Sequence, residues 1–228
     1  MLGVPNFVPL DFDLPGADGR FGTRAHTNPD ASQTVKHYTN LLGPVAHLRQ
    51  VHGKRVVYAK SGGLYEEADA VYTDRPNLWL AIKTADCVPV LLSAPGVVGA
   101  VHAGWRGLKD GIIAEAINTL CKAANVLPDE VHAAIGPCIS APFYEVEVEI
   151  ADDIPHSIHG PSKNPGKALL NVGQTAREQL LAAGLSSRSV HTVKRCTYKE
   201  KSWFNSYRRT KGGDPSAYAV QLSLIKLA

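Results

Sequence analysis

Two apolar segments separated by three residues place the strongest constraint on what this chain can fold into. Residues 88–93 and 97–102 consist mostly of valine, leucine and alanine, and Ala94-Pro95-Gly96 lies between them. Proline fixes φ and the glycine after it accepts a positive φ, so this tripeptide is typical of a turn. The two segments therefore predict an antiparallel β-hairpin.

The rest of the 228 residues mixes strand patterns with a few helical ones. Residues 45–52 and 55–59 flank a turn at Gly53-Lys54 and predict a second hairpin. Apolar residues at helical spacing after Gly107, and again between an Asn171 cap and Gly184, predict two helices. Further strands are predicted at 70–73, 78–83, 131–135, 190–194 and 217–225. This mixture favours the α+β class, and because no linker divides the chain we expect one domain over residues 1–228.

Composition excludes several classes of protein. With 44% apolar residues the chain is globular, and none of its apolar runs approaches the length of a membrane-spanning helix. The net charge of +3 gives no reason to expect a nucleic-acid or membrane partner. The first residues lack a basic group before an apolar run, so we expect no signal peptide and a cytoplasmic location. The four cysteines do not form a disulfide framework in so long a chain, which favours reduced thiols.

Three side chains suggest a reactive or metal-binding site. If the first hairpin turns at Pro95-Gly96, residues whose numbers sum to about 190 face each other, so Cys87 and His102 would lie nearly opposite. His52 ends its own predicted strand beside a glycine turn and could join them. A His-Cys-His set with no obvious fourth ligand suits a zinc site that keeps one position open for catalysis. Two other interpretations stay open: Cys87 is a nucleophile with His102 as its base, or the three residues are unrelated.

Motifs along most of the chain give this site a family context. The sequence resembles the YfiH/laccase-domain family, whose members are described as polyphenol oxidase, purine nucleoside phosphorylase or peptidoglycan editing factor. The matching segments, in the family's order, are Gln50-Val51-His52-Gly53, Ala85-Asp86-Cys87-Val88-Pro89, Val101-His102-Ala103-Gly104-Trp105-Arg106-Gly107, Ile135-Gly136-Pro137-Cys138-Ile139, and Cys196-Thr197-Tyr198 followed by Ser206-Tyr207-Arg208-Arg209.

The resemblance implies both a fold and a chemistry. The fold would be an α/β/β/α sandwich of packed mixed sheets with helices outside, similar to cytotoxic-necrotizing-factor-type deamidases. His52, Cys87 and His102 would bind one zinc ion and form the catalytic centre. The implied reaction is phosphorolysis of adenosine, inosine or methylthioadenosine, with adenosine deamination beside it, so the partners would be a purine nucleoside and phosphate.

Copper is a weaker expectation than zinc. A multicopper centre needs many histidines, yet the nine histidines of this chain include no His-x-His pair. Its only methionine is Met1, which leaves no internal axial methionine ligand. Two other functions remain as alternatives: an amidase-type hydrolase acting on peptidoglycan precursors, and a purine-binding module without turnover.

Four residues are candidates for binding substrate. Arg106 lies between two glycines at the expected start of a helix, where it could hold phosphate. Tyr207 and Arg208 could form a ring-stacking and anion-binding wall. Arg24 matches the family, although the sequence that follows it departs from the usual Gly-Gly-Val-Ser pattern. A second departure replaces the family's Thr-Gly-Arg with residues 213–216.

Overall fold

The computed structural model describes residues 5–210 and 219–228. Its strands are β1 (Ala17–Phe21), β2 (Val45–Leu48), β3 (Val56–Tyr58), β4 (Gly63–Tyr65), β5 (Ala70–Thr73), β6 (Trp79–Thr84), β7 (Val88–Ala94), β8 (Val97–Ala103), β9 (His132–Ile135), β10 (Glu145–Glu147), β11 (His159–Pro161), β12 (Lys167–Leu170), β13 (Val190–Thr192) and β14 (Gln221–Leu227). Its α-helices are α1 (Ala31–Leu42), α2 (Trp105–Asp110), α3 (Ile112–Ala124), α4 (Val148–Asp152), α5 (Val172–Ala182) and α6 (Tyr207–Thr210).

Two mixed sheets pack face to face at the centre of the molecule. One has the strand order β1-β14-β6-β2-β4, and the other has the order β13-β9-β7-β8-β5-β3. Aliphatic side chains from both sheets fill the space between them, among them Leu80, Ile82, Leu91 and Val98, all of which are fully buried. A smaller sheet, β10-β12-β11, lies beside this sandwich.

Helices cover the outer faces of the two large sheets. On the six-stranded sheet, α3 and α5 bury their apolar faces through residues such as Ile117 and Leu180. On the five-stranded sheet, α1 packs through Val35 and Tyr38. The layers therefore run α/β/β/α, and the predicted α+β fold of packed mixed sheets with outer helices is confirmed.

The first predicted hairpin is present, with a small change of register. Strands β7 and β8 pair antiparallel from Ala94 opposite Val97 to Val88 opposite Ala103. In this register His102 faces Pro89, so Cys87 lies two residues further along, just before β7 begins. The two side chains of the candidate site are therefore diagonal neighbours at the end of the hairpin and not a facing pair.

The second predicted hairpin is wrong. Strand β2 lies parallel to β6 and β4 in one sheet, whereas β3 lies parallel to β5 in the other. Residues 49–55 consequently cross between the sheets. The predicted Gly53-Lys54 turn does not fold β3 back onto β2, because His52 takes a left-handed conformation with φ of 61° and the carboxylate of Asp69 binds the backbone amides around it.

Both predicted helices are present, one of them with a difference, whereas α1, α4 and α6 were not predicted. Asn171 caps α5 by accepting a hydrogen bond from the amide of Gln174. The helix expected after Gly107 starts earlier, at Trp105, and is divided in two by Gly111, whose φ of 85° ends α2. Residues 217 and 218 of the last predicted strand, and the departure at 213–216, lie outside the described residues. Across 5–210 and 219–228, no helix combines the length and hydrophobicity needed to cross a membrane.

The junction between the sheets offers a test of this packing. A Cβ on Gly136, directly after β9, would lie 2.3 Å from the ring of Phe21 and 2.8 Å from Pro89. Because Phe21 is fully buried and cannot retreat, we expect Gly136→Ala to lower the free energy of unfolding by about 1–3 kcal/mol. Urea denaturation measures this change.

Gly160 provides the matched control for Gly136. A Cβ at this position in β11 would have no heavy atom within 4 Å. Gly160→Ala should therefore leave the stability unchanged or raise it slightly through the unfolded state. Equal destabilisation by both variants would contradict the packing described here.

Candidate functional site

His52, Cys87 and His102 meet at one end of the sandwich. Each offers one ligand atom, and the three atoms lie within 4.8 Å of one another. The two imidazole rings stand edge to face, with centroids 4.9 Å apart. An ion bound by all three would lie about 2.1–2.3 Å from each atom, so a group this compact is a candidate metal site.

The three residues come from separate segments of the chain. His52 lies on the crossover between β2 and β3, Cys87 on the short link between β6 and β7, and His102 near the end of β8. Their exposure falls in the same order: His52 is exposed, Cys87 is half-buried and His102 is 3% exposed. The site therefore opens to solvent on the His52 side and is closed beneath His102.

Asp69, which was not predicted from the sequence, holds both histidines in place. Its fully buried carboxylate accepts hydrogen bonds from the backbone amides of Val51, His52 and Gly53 at 2.8–3.2 Å. One of its oxygens also lies 2.8 Å from Nδ1 of His102. With Nδ1 donating to Asp69, Nε2 of His102 is left as the ligand atom. The signal in the sequence was an acidic residue between two alanines at the start of an apolar strand.

Cys87 and His102 shift each other's pKa. Burial alone would raise the pKa of the Cys87 thiol, but the charge of His102 and hydrogen bonds from both histidines outweigh it and lower the pKa to about 6. Burial would lower the pKa of His102, whereas the Cys87 thiolate and Asp69 raise it to about 9. Near neutral pH without a metal, Cys87 is a thiolate and His102 an imidazolium.

A cavity of about 520 Å³ adjoins this group, with His52 and Cys87 in its lining. Arg106, Tyr207 and Arg208, all candidates from the sequence, line it together with His52 and Cys87. Asp86, which belongs to the matching motif around Cys87, also lines the cavity, and so does Tyr144, which was not predicted. Arg24 is not among the lining residues; its guanidinium donates a hydrogen bond to the backbone oxygen of Lys201.

Two guanidinium groups give the cavity a positive wall. Arg208 donates two hydrogen bonds to the backbone oxygen of Glu145 and lies 4.9 Å from the ring centre of Tyr144. Arg106 lies 4.4 Å from the ring centre of Trp105 and is exposed. Within the described part of the chain neither arginine forms an ion pair with a carboxylate, so both charges remain available to an anion.

Gly104 leaves the candidate ligand side chains unobstructed. A Cβ at this position would lie 3.0 Å from Cδ2 of His52 and 3.2 Å from Sγ of Cys87. Any larger residue here would therefore crowd two of the three candidate ligands. Two imidazole nitrogens and one thiolate form a donor set that zinc and copper both accept, so the residues fit a bound metal.

The chain is similar in sequence to known proteins over most of its length. Residues 25–226 match the family described as multi-copper polyphenol oxidoreductase laccase. Among curated proteins, the chain is 37% identical over 211 residues to a protein of Escherichia coli named purine nucleoside phosphorylase YfiH, a match that covers 87% of this chain and 84% of that protein.

A relative from Geobacillus stearothermophilus matches in both sequence and structure. The protein named purine nucleoside phosphorylase YlmD is 35% identical over 152 residues, which are 63% of this chain and only 56% of that relative's length. The crystal structure of YlmD from the same species superposes with a TM-score of 0.84 at 26% identity, covering 97% of this chain and 98% of that one.

The electrostatics of Cys87 predict how alkylation of the metal-free protein depends on pH. Because the thiolate is the reactive form, the rate with iodoacetamide should rise with pH through about 6 and level off above about 7. A thiol with the ordinary pKa of 9.0 would continue to gain reactivity up to pH 9 and above. Peptide mass spectrometry measures the labelling of Cys87.

Cys121 serves as the internal control for this measurement. Burial and the charge of Glu130 raise the pKa of Cys121, so its labelling should increase only at high pH. Identical pH profiles for the two cysteines would contradict the thiolate–imidazolium pair.

Proposed function

This chain belongs to the multi-copper polyphenol oxidoreductase laccase family, and we propose that it is a zinc-dependent purine nucleoside phosphorylase that also deaminates adenosine. One observation carries the proposal: two members of the His-Cys-His group, His52 and Cys87, line the same cavity as two arginines without carboxylate partners. The names of its relatives in Escherichia coli and Geobacillus stearothermophilus support the choice of substrate.

The donor set favours zinc over a multicopper centre. Within residues 5–210 and 219–228, His52, Cys87 and His102 are the one group of three such side chains close enough to share a metal. An oxidase of the laccase type would need several copper sites, and the sequence contains no His-x-His pair to build them. When bound, zinc would supply Lewis-acid activation at the position left open by three protein ligands.

In the proposed phosphorolysis, the arginines act on the phosphate. A phosphate oxygen attacks C1′ of the ribose, the bond from C1′ to the purine nitrogen breaks, and the purine leaves with that electron pair and takes up a proton. Arg106 and Arg208 hold the phosphate and balance its charge while it approaches. The rings of Tyr144 and Tyr207, which line the same cavity, offer faces on which a purine can stack.

A second candidate function draws on a different contact. Cys87, His102 and Asp69 form a thiol, imidazole and carboxylate series, the arrangement found in cysteine hydrolases. In an amidase acting on peptidoglycan precursors, the Cys87 sulfur would attack the amide carbonyl and His102 would pass a proton to the leaving amine. Water would then release the acyl group. This function gives His52 no task, which is why we prefer the metal-dependent reaction.

The decisive experiment follows the products formed from adenosine with and without phosphate. Phosphorolysis should give adenine and ribose 1-phosphate only when phosphate is present, and deamination should give inosine and ammonia in either case. Chelation should abolish both activities and zinc should restore them. Elemental analysis should find one zinc per chain in the wild type and much less in His102→Ala.

The contrary outcomes point to the other functions. Full activity of metal-free protein, together with rapid alkylation of Cys87 in the protein as purified, would favour the thiol hydrolase. Several copper ions per chain would favour an oxidase. Tight purine binding without any product would indicate a binding module.

The two arginines give a separate test of the phosphate site. Arg106→Ala and Arg208→Ala should each raise the KM for phosphate about 10–150-fold, because a charge-assisted contact contributes about 1.5–3 kcal/mol. The zinc content should stay at the wild-type level. Arg188→Ala removes an exposed arginine outside the cavity and is the matched control. Phosphate kinetics equal to those of the control would remove both arginines from the site.

A further inference from the structure

The carboxylate of Asp86 is buried beside Cys87 and has no part in the proposed chemistry. Asp86 is 7% exposed, and its Oδ1 accepts a hydrogen bond from Oγ1 of Thr197 at 2.6 Å. Its Oδ2 accepts one from Oγ of Ser206 at 2.9 Å and one from the backbone amide of Arg208 at 2.7 Å. No lysine or arginine of the described residues forms an ion pair with it. All three hydrogen bonds to the Asp86 carboxylate therefore come from one segment, residues 197–208, which is distant along the chain.

The same segment contributes Arg208, one of the two arginines that line the cavity. Ser206 precedes α6, whose first two residues, Tyr207 and Arg208, line the cavity. A helix of four residues does not hold its shape without outside contacts. The side chain of Arg208 is fastened to Glu145, and that of Arg209 to the backbone oxygens of Thr197, Tyr198 and Phe204. Asp86 provides the contact that fastens the backbone at the start of α6 to the metal-ligand loop.

The backbone at Asp86 is unusual in a way that fits this task. Its φ of 94° is a conformation that side-chain-bearing residues rarely adopt, and its carbonyl accepts a hydrogen bond from the amide of Ile139. Because the chain bends here, two consecutive side chains form hydrogen bonds with different partners. Asp86 accepts them from Thr197 and Ser206, whereas Cys87 forms them with the two histidines. The placement of the ligand and the placement of α6 thus depend on one turn of the chain.

We infer that Asp86 is a positioning residue, whose carboxylate clamps the start of α6 to the Cys87 loop and so fixes the Arg208 guanidinium at a set place above the metal ligands. The inference rests on the proposed function only in naming phosphate as the anion that Arg208 meets. The clamp itself is a property of the fold and is testable without any reaction.

Two substitutions separate the carboxylate from the strained backbone. Asp86→Gly removes the hydrogen bonds while accepting a positive φ without strain. Asp86→Asn keeps one oxygen for Ser206 and Arg208 and turns its amide toward Thr197 Oγ1, which can accept. Asparagine also tolerates positive φ. Asp86→Asn is therefore the conservative control for Asp86→Gly.

Three measurements follow in each variant. Hydrogen exchange of peptides covering residues 206–210 reports on α6, the zinc content reports on the ligands, and steady-state kinetics give kcat and the KM for phosphate. In Asp86→Gly we expect exchange at 206–210 to quicken about tenfold or more, and the KM for phosphate to rise by a similar factor. Zinc content and kcat should change far less, and Asp86→Asn should stay near the wild type.

A double variant shows whether Asp86 acts through Arg208. In an Arg208→Ala background, Asp86→Gly should add little further to the KM for phosphate, because the group it positions is already gone. If Asp86→Gly does not fold, Thr197→Val removes one of the three donors and Thr197→Ser keeps it. That pair should show the same change in exchange at a smaller size.

Two results would overturn the inference. One is unchanged exchange at residues 206–210 in Asp86→Gly. The other is a loss of zinc without a change in the KM for phosphate, which would place the role of Asp86 on Cys87. A wild-type protein that does not phosphorolyse nucleosides would instead contradict the proposed function, and the exchange comparison would still decide the role of Asp86.

Discussion

A single buried carboxylate, that of Asp69, holds two of the three candidate metal ligands in place. Asp69 accepts three backbone amides from the loop that carries His52, and the ring of His102 from a neighbouring strand. Burying a carboxylate costs free energy unless its oxygens accept hydrogen bonds, so the folded state favours a loop conformation that directs amides toward it. The same bonds keep His52 in a left-handed conformation and select the nitrogen that His102 presents. Removing this contact would release two of the three candidate ligands together.

Local patterns in the sequence predicted the elements better than their partners. The hairpin of β7 and β8 followed from residues close in sequence, and so did the Asn171 cap. The wrong prediction, a hairpin of β2 and β3, concerned which strands pair, because a glycine turn is compatible with a reversal or with a crossing to another sheet. Alternating apolar residues indicate that a strand is buried, but they do not indicate which sheet the strand joins.

The candidate site shows the same limit. Cys87 and His102 are close because they flank one hairpin, so their approach was predictable from spacing. Asp69, Asp86 and Tyr144 act through contacts with residues far away along the chain, and only the folded structure reveals such contacts. The positive wall likewise combines Arg106, from the start of α2, with Arg208, about a hundred residues later.

The placement of the ligand residues has a consequence for the molecule as a whole. His52 and Cys87 lie on two of the short segments where the chain passes from the five-stranded sheet to the six-stranded one, and Asp69 ends another, between β4 and β5. An ion bound by His52, Cys87 and His102 would connect these segments and so act as a reversible cross-link between the two sheets. Binding that occurs only in the folded state adds its free energy to stability, so metal release and separation of the sheets become one linked equilibrium. The supply of the ion in the surroundings would then help to set how much of the chain is folded.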